Sequence, residues 1–527
     1  MPQIVQQGSL NTTALIVPDL YVQIVPPQNT LINGVPTNVL GVVGTAQWGP
    51  LNTPSIVSSM ADYAPRFGAI QSRKYDMGTQ IATAVLQGAA NFRCVRVSDG
   101  TDVAASVVVL TNCITFTGLY TGTLGNTVTV AVSPGSKAGT FRAVIGIPGQ
   151  PAELFDSVAG AGNAFWVNLA AAVNAGNSIL RGPSIYVVAS AGVGVTAPAA
   201  ATYTLAGGTD GVTTITSAVL IGVDTVPRKG MYALRSQGVS LCVLADADDS
   251  TQWTVQAAFG LAEGVYMVAV APAGTAIANG TTGTVDIKAT AGLDSYAVKL
   301  MHGDWLYWND PVNGIMRLVS PQGFAAGRLA NMSPEQSSLN KPLFGVIGSQ
   351  RTGAPGTGQA GKYSQAELSS LAQAGIDVIC NPIPAGSMWG VRIGHNSSSN
   401  ASTNGDNYTR MTNYLAATFA AGMGLYVGQV INVSLFRKVR STILNFLGGL
   451  LQQGLLGSTD GSLPYSVICD VSNNPLIRTG LGYMQCDTQV QYQAINEKFI
   501  INVEGGQTVT VNKQTLPPSN SPATPVF

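Results

Sequence analysis

The stretch SLCVLADADDSTQWTVQAAFGLAEGVYMVAV, residues 240–270, indicates the class of the fold. Two apolar runs, 240–245 and 265–270, have the length of buried strands. The segment 251–263 between them is predicted as a helix, with Ser250 as its N-cap and Gly264 as its stop. A strand, a helix and a second strand in this order are typical of a parallel sheet covered by helices.

The same pattern recurs further along the chain. Ser364 and Glu367 have the spacing of a capping box, Gly375 follows as a stop signal, and IDVIC (376–380) predicts the next strand. We therefore place an α/β core at 209–385, with an amino-terminal part at 31–100. Between these two segments, 101–208 alternates short Val- and Thr-rich runs with Gly and Pro, which predicts an inserted all-β unit of sandwich or barrel type.

The region 386–497 is predicted to form a helical, α+β carboxyl-terminal domain. Its clearest element is an amphipathic helix that ends near Gly454, because apolar residues recur there at spacings of three and four. The apolar positions are Phe436, Val439, Ile443, Phe446, Leu447 and Leu450, and the basic positions on the other faces are Arg437, Lys438 and Arg440.

Both ends of the chain are predicted to be extended arms, 1–30 and 498–527. The first carries LYVQIV (20–25), and the second carries KFIINV (498–503), a Gly505-Gly506 turn and QTVTVN (507–512). A short strand without a core of its own needs a partner elsewhere. We therefore expect both arms to pair outside their own segment.

Composition favours a protein that assembles. Of the 527 residues only 10% are charged, against about 25% in a typical soluble domain, and 26 basic residues balance 26 acidic ones. No net field attracts nucleic acid or an anionic membrane, and little self-repulsion keeps copies apart. We expect no export signal, no membrane span and folding in a cytoplasm. Most of the six scattered cysteines are interpreted as small core residues, because no CxxC pair is present.

Two stretches could carry chemistry. GVVGTAQWGPLNTP (41–54) is rich in glycine, but it lacks the GK[ST] ending of a P-loop and the GxGxxG spacing, so a structural loop is favoured. ADADDS (245–250) places Asp246, Asp248 and Asp249 at the carboxyl end of a predicted strand, where a magnesium site is conceivable. Capping of the following helix by these acids is the favoured alternative. We expect no cofactor.

Several stretches, read in order, resemble the tail sheath proteins of contractile-tailed bacteriophages. They are VPDLYVQIVP (17–26), GVPTNVLGVVGTAQWGPLNTP (34–54), DYAPRFG (62–68), GTLGNTVTV (122–130), LAGGTDG (205–211), WLYWNDPVNG (305–314), AAGRLA (325–330), AGIDVI (374–379), MWGVRIG (388–394) and LLQQGLLG (450–457). The segments SPEQSSLNKP (333–342) and YVGQVINVS (426–434) depart from the family pattern.

The resemblance implies a subtilisin-like α/β domain without catalytic residues, in a subunit of a hollow contractile cylinder around a tail tube. It implies as partners neighbouring copies of the chain, the tail tube protein, and baseplate and tail terminator proteins. Direct nucleic-acid contact and stable membrane insertion are not implied. The protein would be part of the virion, assembled in the cytoplasm of a host bacterium, and contraction would drive the tube through the host envelope for genome delivery.

Two sets of interaction residues are hypothesised on this basis. For donation of strands between subunits they are Leu20, Tyr21, Val22, Gln23, Ile24, Val25, Phe499, Ile500, Ile501, Asn502, Val503, Thr508, Val509, Thr510 and Val511. For contact with the tube they are Arg437, Lys438 and Arg440. Two alternatives stay open: the sheath of a phage-derived injection device or bacteriocin, and a metal-dependent α/β enzyme that uses Asp246, Asp248 and Asp249.

Overall fold

The computed structural model describes residues 3–5, 21–23, 32–178, 181–357 and 361–508. The strands of this part of the chain are β1 (Gln3–Val5), β2 (Tyr21–Gln23), β3 (Leu40–Gly44), β4 (Ser55–Val57), β5 (Phe92–Arg96), β6 (Ser106–Val109), β7 (Ile114–Gly118), β8 (Thr129–Pro134), β9 (Phe141–Gly146), β10 (Glu153–Val158), β11 (Val187–Ala191), β12 (Ala201–Thr204), β13 (Leu241–Leu244), β14 (Tyr266–Val270), β15 (Val298–Met301), β16 (Leu306–Asp310), β17 (Ile315–Val319), β18 (Val346–Ser349), β19 (Ile379–Cys380), β20 (Gly390–Val391), β21 (Tyr465–Ile468) and β22 (Asp487–Val490).

The helices of the same ranges are α1 (Met60–Phe67), α2 (Met77–Val85), α3 (Asn163–Ala175), α4 (Ser217–Ile221), α5 (Trp253–Glu263), α6 (Thr284–Ala291), α7 (Gln322–Ala330), α8 (Gln365–Gln373), α9 (Asp406–Gly422), α10 (Val433–Gln452) and α11 (Leu476–Thr479). Helices and sheets alternate along much of the chain. The predicted mixed α/β class is confirmed.

A six-stranded sheet forms the centre of the molecule, in the order β15, β14, β13, β3, β5, β4. All its pairings are parallel except that of β4, which runs antiparallel at one edge. Successive residues of a strand point to opposite faces, and both faces are buried here. Val42 and Val243 lie in the hydrophobic cluster that contains residues of α2 and α7. Val43 and Leu244 lie in the cluster on the other face, with residues of α5.

The βαβ unit predicted from residues 240–270 is present as β13, α5 and β14. Gly264 has a left-handed backbone, with φ of 66°, and ends α5 as predicted. Ser250 as the N-cap is wrong. The side chain of Asp249 accepts a hydrogen bond from the Thr251 amide (3.0 Å), and Ser250 begins a short 3₁₀ turn that leads into α5.

The second predicted unit is also found, with a shorter strand. Ser364 and Glu367 form the predicted capping box at the start of α8, and Gly375 has φ of 62° just after the helix. The strand predicted at 376–380 is reduced to β19. Before it, the backbone of Asp377 bonds to Leu300 and His302 alongside β15, which extends the edge of the central sheet by one residue.

The β-rich region contains two antiparallel sheets, with the orders β10-β9-β8-β12 and β11-β7-β6. The prediction that this region is all-β is wrong, because α3 lies within it. Phe165, Trp166 and Leu169 of α3 are buried in the hydrophobic cluster of this region, together with Phe116 and Phe155. The spacing of these apolar side chains suits one helix face, so burial against the two sheets stabilises the helix.

The helix predicted around Phe436 is confirmed as α10. All six predicted apolar positions are buried, in a cluster shared with α9 and β21. The helix ends at Gln452, and Gly454 follows with φ of 74°. Five of the six cysteines are buried, as expected of small core residues. The chain divides into two compact units, 1–493 and 494–527, and the finer domain boundaries stay a prediction.

Candidate functional site

The basic residues proposed to contact the tube lie on the exposed side of α10. Asn432 caps this helix, since its side chain accepts a hydrogen bond from the Leu435 amide (2.9 Å). Arg437, Lys438 and Arg440 are exposed. Arg440 donates from Nε to the carbonyl of Val467 in β21 (3.1 Å), so part of its hydrogen-bonding capacity is used within the subunit.

The strands β21 and β22 form a two-stranded antiparallel hairpin beside α10. Their register pairs Tyr465 with Val490 and Ile468 with Asp487. Val467 is buried in the cluster with residues of α10, so its side of the hairpin faces that helix. Within the described ranges no further strand pairs with β22, so its outer edge offers free backbone groups. Such an edge can accept an extended segment from another chain.

The loop between these strands is braced at its base and apolar at its tip. The side chain of Asn474 donates to the carbonyl of Gln485 (2.8 Å) and accepts from the Gln485 amide (2.6 Å). Further out, Leu476 and Ile477 are 86% and 78% exposed. The hairpin therefore holds its shape while its tip keeps apolar side chains in water.

The carboxyl-terminal segment forms no strand within the single chain, and its pairing with another subunit stays a prediction. Residues 498–503 have no strand pairing in the structure, although Phe499, Ile500, Ile501 and Val503 are 68–86% exposed. Asn502 is exposed too, and Thr508 lies in a turn. The physical reason is that strand residues need a partner for their backbone groups, and the described part of the chain supplies none. Val509, Thr510 and Val511 lie outside the described residues.

The amino-terminal strand is paired within its own chain. Tyr21, Val22 and Gln23 form β2 in parallel with Gln3–Val5. The expectation that this segment lacks a partner in its own chain is therefore wrong for these three residues. Leu20, Ile24 and Val25 lie outside the described residues. A two-stranded sheet of three residues per strand is marginal in water, so this pairing is weak enough to be exchanged.

The three aspartates of ADADDS point to separate partners. Asp246 is buried and accepts from the Tyr75 amide (3.1 Å) and from Gln80 Nε2 (2.8 Å). Burial raises its pKa. Asp248 forms an ion pair with Lys74 (2.8 Å), and Asp249 caps the turn before α5. Across the described ranges, no three His, Cys, Asp or Glu side chains come together as metal ligands do.

The place where open α/β sheets usually bind ligands is filled by the protein's own side chains. This place is the carboxyl end of β13 and β3, where the strand order reverses. Gln322 donates to the carbonyls of Leu244 (3.1 Å) and Val268 (2.8 Å), and its carbonyl accepts from the Asp246 amide (2.9 Å). The metal-dependent enzyme therefore gains no support from this end of the sheet.

The glycine-rich stretch 41–54 is a tightly packed loop between the central sheet and the β-rich region. Gly49 has φ of 98°, and a Cβ there would lie 2.6 Å from the carbonyl of Arg66. The buried Arg96 donates to the carbonyl of Gly49 (2.9 Å) and to that of Thr121 (2.7 Å), which links the central sheet to the β-rich region. Trp48 meets Tyr120 edge-on at 5.4 Å. These contacts within the protein agree with a structural loop.

Sequence reasoning missed a buried ionic cluster that joins α9 to the central sheet. Lys299 of β15 donates to Asp377 (2.6 Å) and to Asp406 at the start of α9 (2.9 Å), and all three side chains are fully buried. Tyr266 also donates to Asp406 (2.6 Å). Burial alone would lower the pKa of Lys299, but the two carboxylates outweigh it and raise that pKa. A lysine inside the apolar run AVKLM (297–301) was the signal in the sequence.

Among the helices in the described part of the chain, none has the length and apolar character that crossing a membrane requires.

Comparison with solved structures identifies the class of the fold. The sheath tail protein of Desulfitobacterium hafniense aligns with a TM-score of 0.57 at 15% identity, over 85% of this chain and 93% of that one. The sheath tail protein of Listeria innocua gives 0.59 at 13%, over 84% and 90%. A chain of the PVC sheath complex, an extracellular contractile injection system in its contracted state, gives 0.54 at 12%, over 94% and 99%.

This chain therefore has the fold of tail sheath proteins, and the resemblance seen in its sequence is confirmed at the level of the fold. No protein-family model matches the sequence, and the search of curated proteins finds no match.

Proposed function

We propose that this chain is the subunit of a contractile tail sheath, a helical cylinder of identical copies around a tail tube. Contraction of the cylinder drives the tube through the envelope of a host bacterium. The partners are neighbouring copies, the tube protein, and the baseplate and tail terminator proteins. The subunit would fold in the host cytoplasm and end up in the virion. Its α/β core would be subtilisin-like in fold and would serve as scaffold, without catalysis.

The observation that carries the proposal is the extent of the fold similarity. Two sheath tail proteins and a sheath chain of a contractile injection system align over 84–94% of this chain. The similarity therefore extends over most of this chain. A fold alone does not define function, so the proposal also depends on surfaces suited to self-assembly.

The carboxyl-terminal segment and the hairpin supply one such pair of surfaces. Residues 499–503 present exposed apolar side chains and unpaired backbone groups. The outer edge of β22 presents the complementary backbone groups. If one copy donates its segment to the hairpin of the next, each main-chain hydrogen bond contributes about 0.5–1.5 kcal/mol net. Several of these bonds form a tether that can persist while subunits slide.

The amino-terminal arm supplies a second tether. The pairing of β1 with β2 is short and parallel, so a neighbouring copy can displace β1 and pair with Tyr21–Gln23 at little cost. Contacts that run head to tail without closing a ring generate helices of indefinite length. Two arms per subunit therefore suffice to connect each copy to its neighbours in a mesh.

The exposed face of α10 is proposed to contact the tube. Arg437 and Lys438 form no ion pair among the residues that the structure describes, and both are in water. Exposed charge pairs contribute little each and weaken with salt. A contact of this kind can guide assembly along the tube and still release during contraction.

The sheath of a phage-derived injection device or bacteriocin is the alternative to the sheath of a phage tail. Two bacterial sheath tail proteins and a sheath chain of an extracellular contractile injection system are similar to this chain. The phage assignment is preferred here from the sequence resemblance, and genes for capsid proteins next to this gene would distinguish the two.

Electron microscopy of the purified protein at rising concentration tests the proposal. Hollow, striated cylinders should form alone or around added tail tube. Monomers that persist at high concentration, with and without tube, would refute it.

A further inference from the structure

Residues 32–37, called the strap below, link the amino-terminal arm to β3 and cross α9 on the way. Ile32 packs against the α10 cluster, and its side chain lies only 2.6 Å from where a Cβ on Gly422 would stand. Gly34 lies against Tyr414 so closely that a Cβ would be 2.0 Å from the phenol oxygen. The amide of Val35 donates to Thr418 Oγ1 (3.3 Å). The strap therefore touches the second half of α9 at three successive points.

The strap is held at these points and is not buried along its length. Asn33, Gly34 and Pro36 are exposed. Beneath the strap lies a cavity of about 320 Å³, bounded by Val35–Thr37, by the middle of α9 and by the residues before β13. Apart from Ile32, which packs on the α10 cluster, the strap is held by the contacts of Gly34 with Tyr414 and of Val35 with Thr418.

The other half of α9 is attached firmly to the central sheet. Asp406 belongs to the buried cluster around Lys299. Thr409 donates to the carbonyl of Tyr296 (2.6 Å). Arg410, also buried, donates to the carbonyls of Met332 (2.7 Å) and Ser333 (2.8 Å) after α7. Because α9 is fixed at this end, whatever is bound to its other half has a fixed position relative to the core.

We propose that the strap is a clamp in which Gly34 and Val35 are positioning residues for the amino-terminal arm. They hold the arm to Tyr414 and Thr418, so that it leaves the subunit from α9 and not directly from the amino end of β3. The inference rests on the proposed function, in which this arm tethers a neighbouring copy.

Detachment of the strap would lengthen the tether between two subunits. If the strap detaches, the free chain begins at β3, and residues 32–38 add to the tether. At about 3.3–3.6 Å for each extended residue, its reach increases by roughly 23–25 Å. A clamped arm fixes the spacing between connected subunits, whereas a released arm tolerates a range of spacings.

Amide hydrogen exchange at Val35 in the monomer tests the clamp directly. Thr418→Val keeps the shape of the side chain and removes the acceptor oxygen, whereas Thr418→Ser keeps the oxygen. The Val35 amide should exchange at least about fivefold faster in Thr418→Val than in the wild type. It should remain protected in Thr418→Ser. Equal exchange in all three proteins would overturn the proposal.

The spacing of subunits in the polymer tests whether the clamp positions the arm. Gly34→Ala brings a methyl group against Tyr414, whereas Gly424→Ala adds the same group where no atom lies within 4 Å. Both monomers should unfold at the wild-type temperature. Gly34→Ala polymers should show a broader spread of subunit spacing, and Gly424→Ala polymers should match the wild type. Identical lattices would overturn the positioning role. If the wild type forms no polymer, the proposed function fails, while the exchange experiment still decides the clamp.

Discussion

Truncating one side chain of the carboxyl-terminal segment should weaken polymerisation by a calculable amount. Because side chains alternate along a strand, Phe499, Ile501 and Val503 share one face of this segment. Ile501 is 68% exposed in the single chain. Burial of a complete isoleucine side chain contributes about 1.5–3 kcal/mol, so docking two thirds of it contributes about 1–2 kcal/mol. Ile501→Ala removes most of this, and the critical concentration should rise roughly 5- to 30-fold.

Pelleting of polymers over a range of protein concentrations measures the critical concentration. Asn502→Ala is the matched control, since Asn502 lies in the same segment on the opposite face. It should change the critical concentration by less than about threefold. Equal effects of the two substitutions, or no effect of Ile501→Ala, would refute the reasoning that this apolar face docks on a neighbour.

Three other perturbations separate the remaining parts of the account. Deletion of residues 1–25 should leave a folded monomer by circular dichroism and abolish polymers in electron micrographs; intact polymers would exclude the amino-terminal tether. Arg437→Glu with Lys438→Glu should slow tube-guided assembly most at low salt, measured by light scattering, and an unchanged rate would remove α10 from the tube contact. Burial raises the pKa of Asp76 from 3.8 to about 7. Between pH 4 and pH 7 the folded protein therefore keeps a proton on Asp76 that the unfolded chain has lost. The free energy of unfolding falls as the pH rises through this range. Asp76→Asn should therefore gain stability over the wild type from pH 4 to pH 7, by on the order of 4 kcal/mol, and chemical denaturation showing a constant difference would contradict this.

The sequence predicted the helices whose start or buried face depends on residues close together in the chain. The periodicity of Phe436 to Leu450 predicted α10, and the Ser364–Glu367 pair predicted the start of α8. The capping box lies within one turn of helix, and the apolar spacing of α10 repeats within one or two turns, so both patterns are visible in the local sequence. The cap before α5 was predicted one residue too late, because Ser250 and Asp249 are both good caps and only the backbone geometry selects the aspartate. The helix itself begins at Trp253, two residues later than predicted, because a short 3₁₀ turn precedes it.

Features that depend on distant contacts were not predictable in this way. The helix α3 is stabilised by the sheets around Phe165 and Trp166, which a local pattern does not reveal. The strand predicted at 498–503 has the right composition and lacks a partner in the single chain. The close approach of Gly34 to Tyr414 joins residues far apart in sequence. The chemistry of Lys299 was visible as a charge in an apolar run, but its partners Asp377 and Asp406 were not.

A three-dimensional reconstruction of the assembled polymer by electron cryomicroscopy tests the central claim most directly. The account predicts a hollow helical cylinder in which residues 498–503 of one copy form a third strand along β22 of a neighbour. A cylinder in which every β22 edge stays unpaired, or an assembly without a central channel, would contradict it.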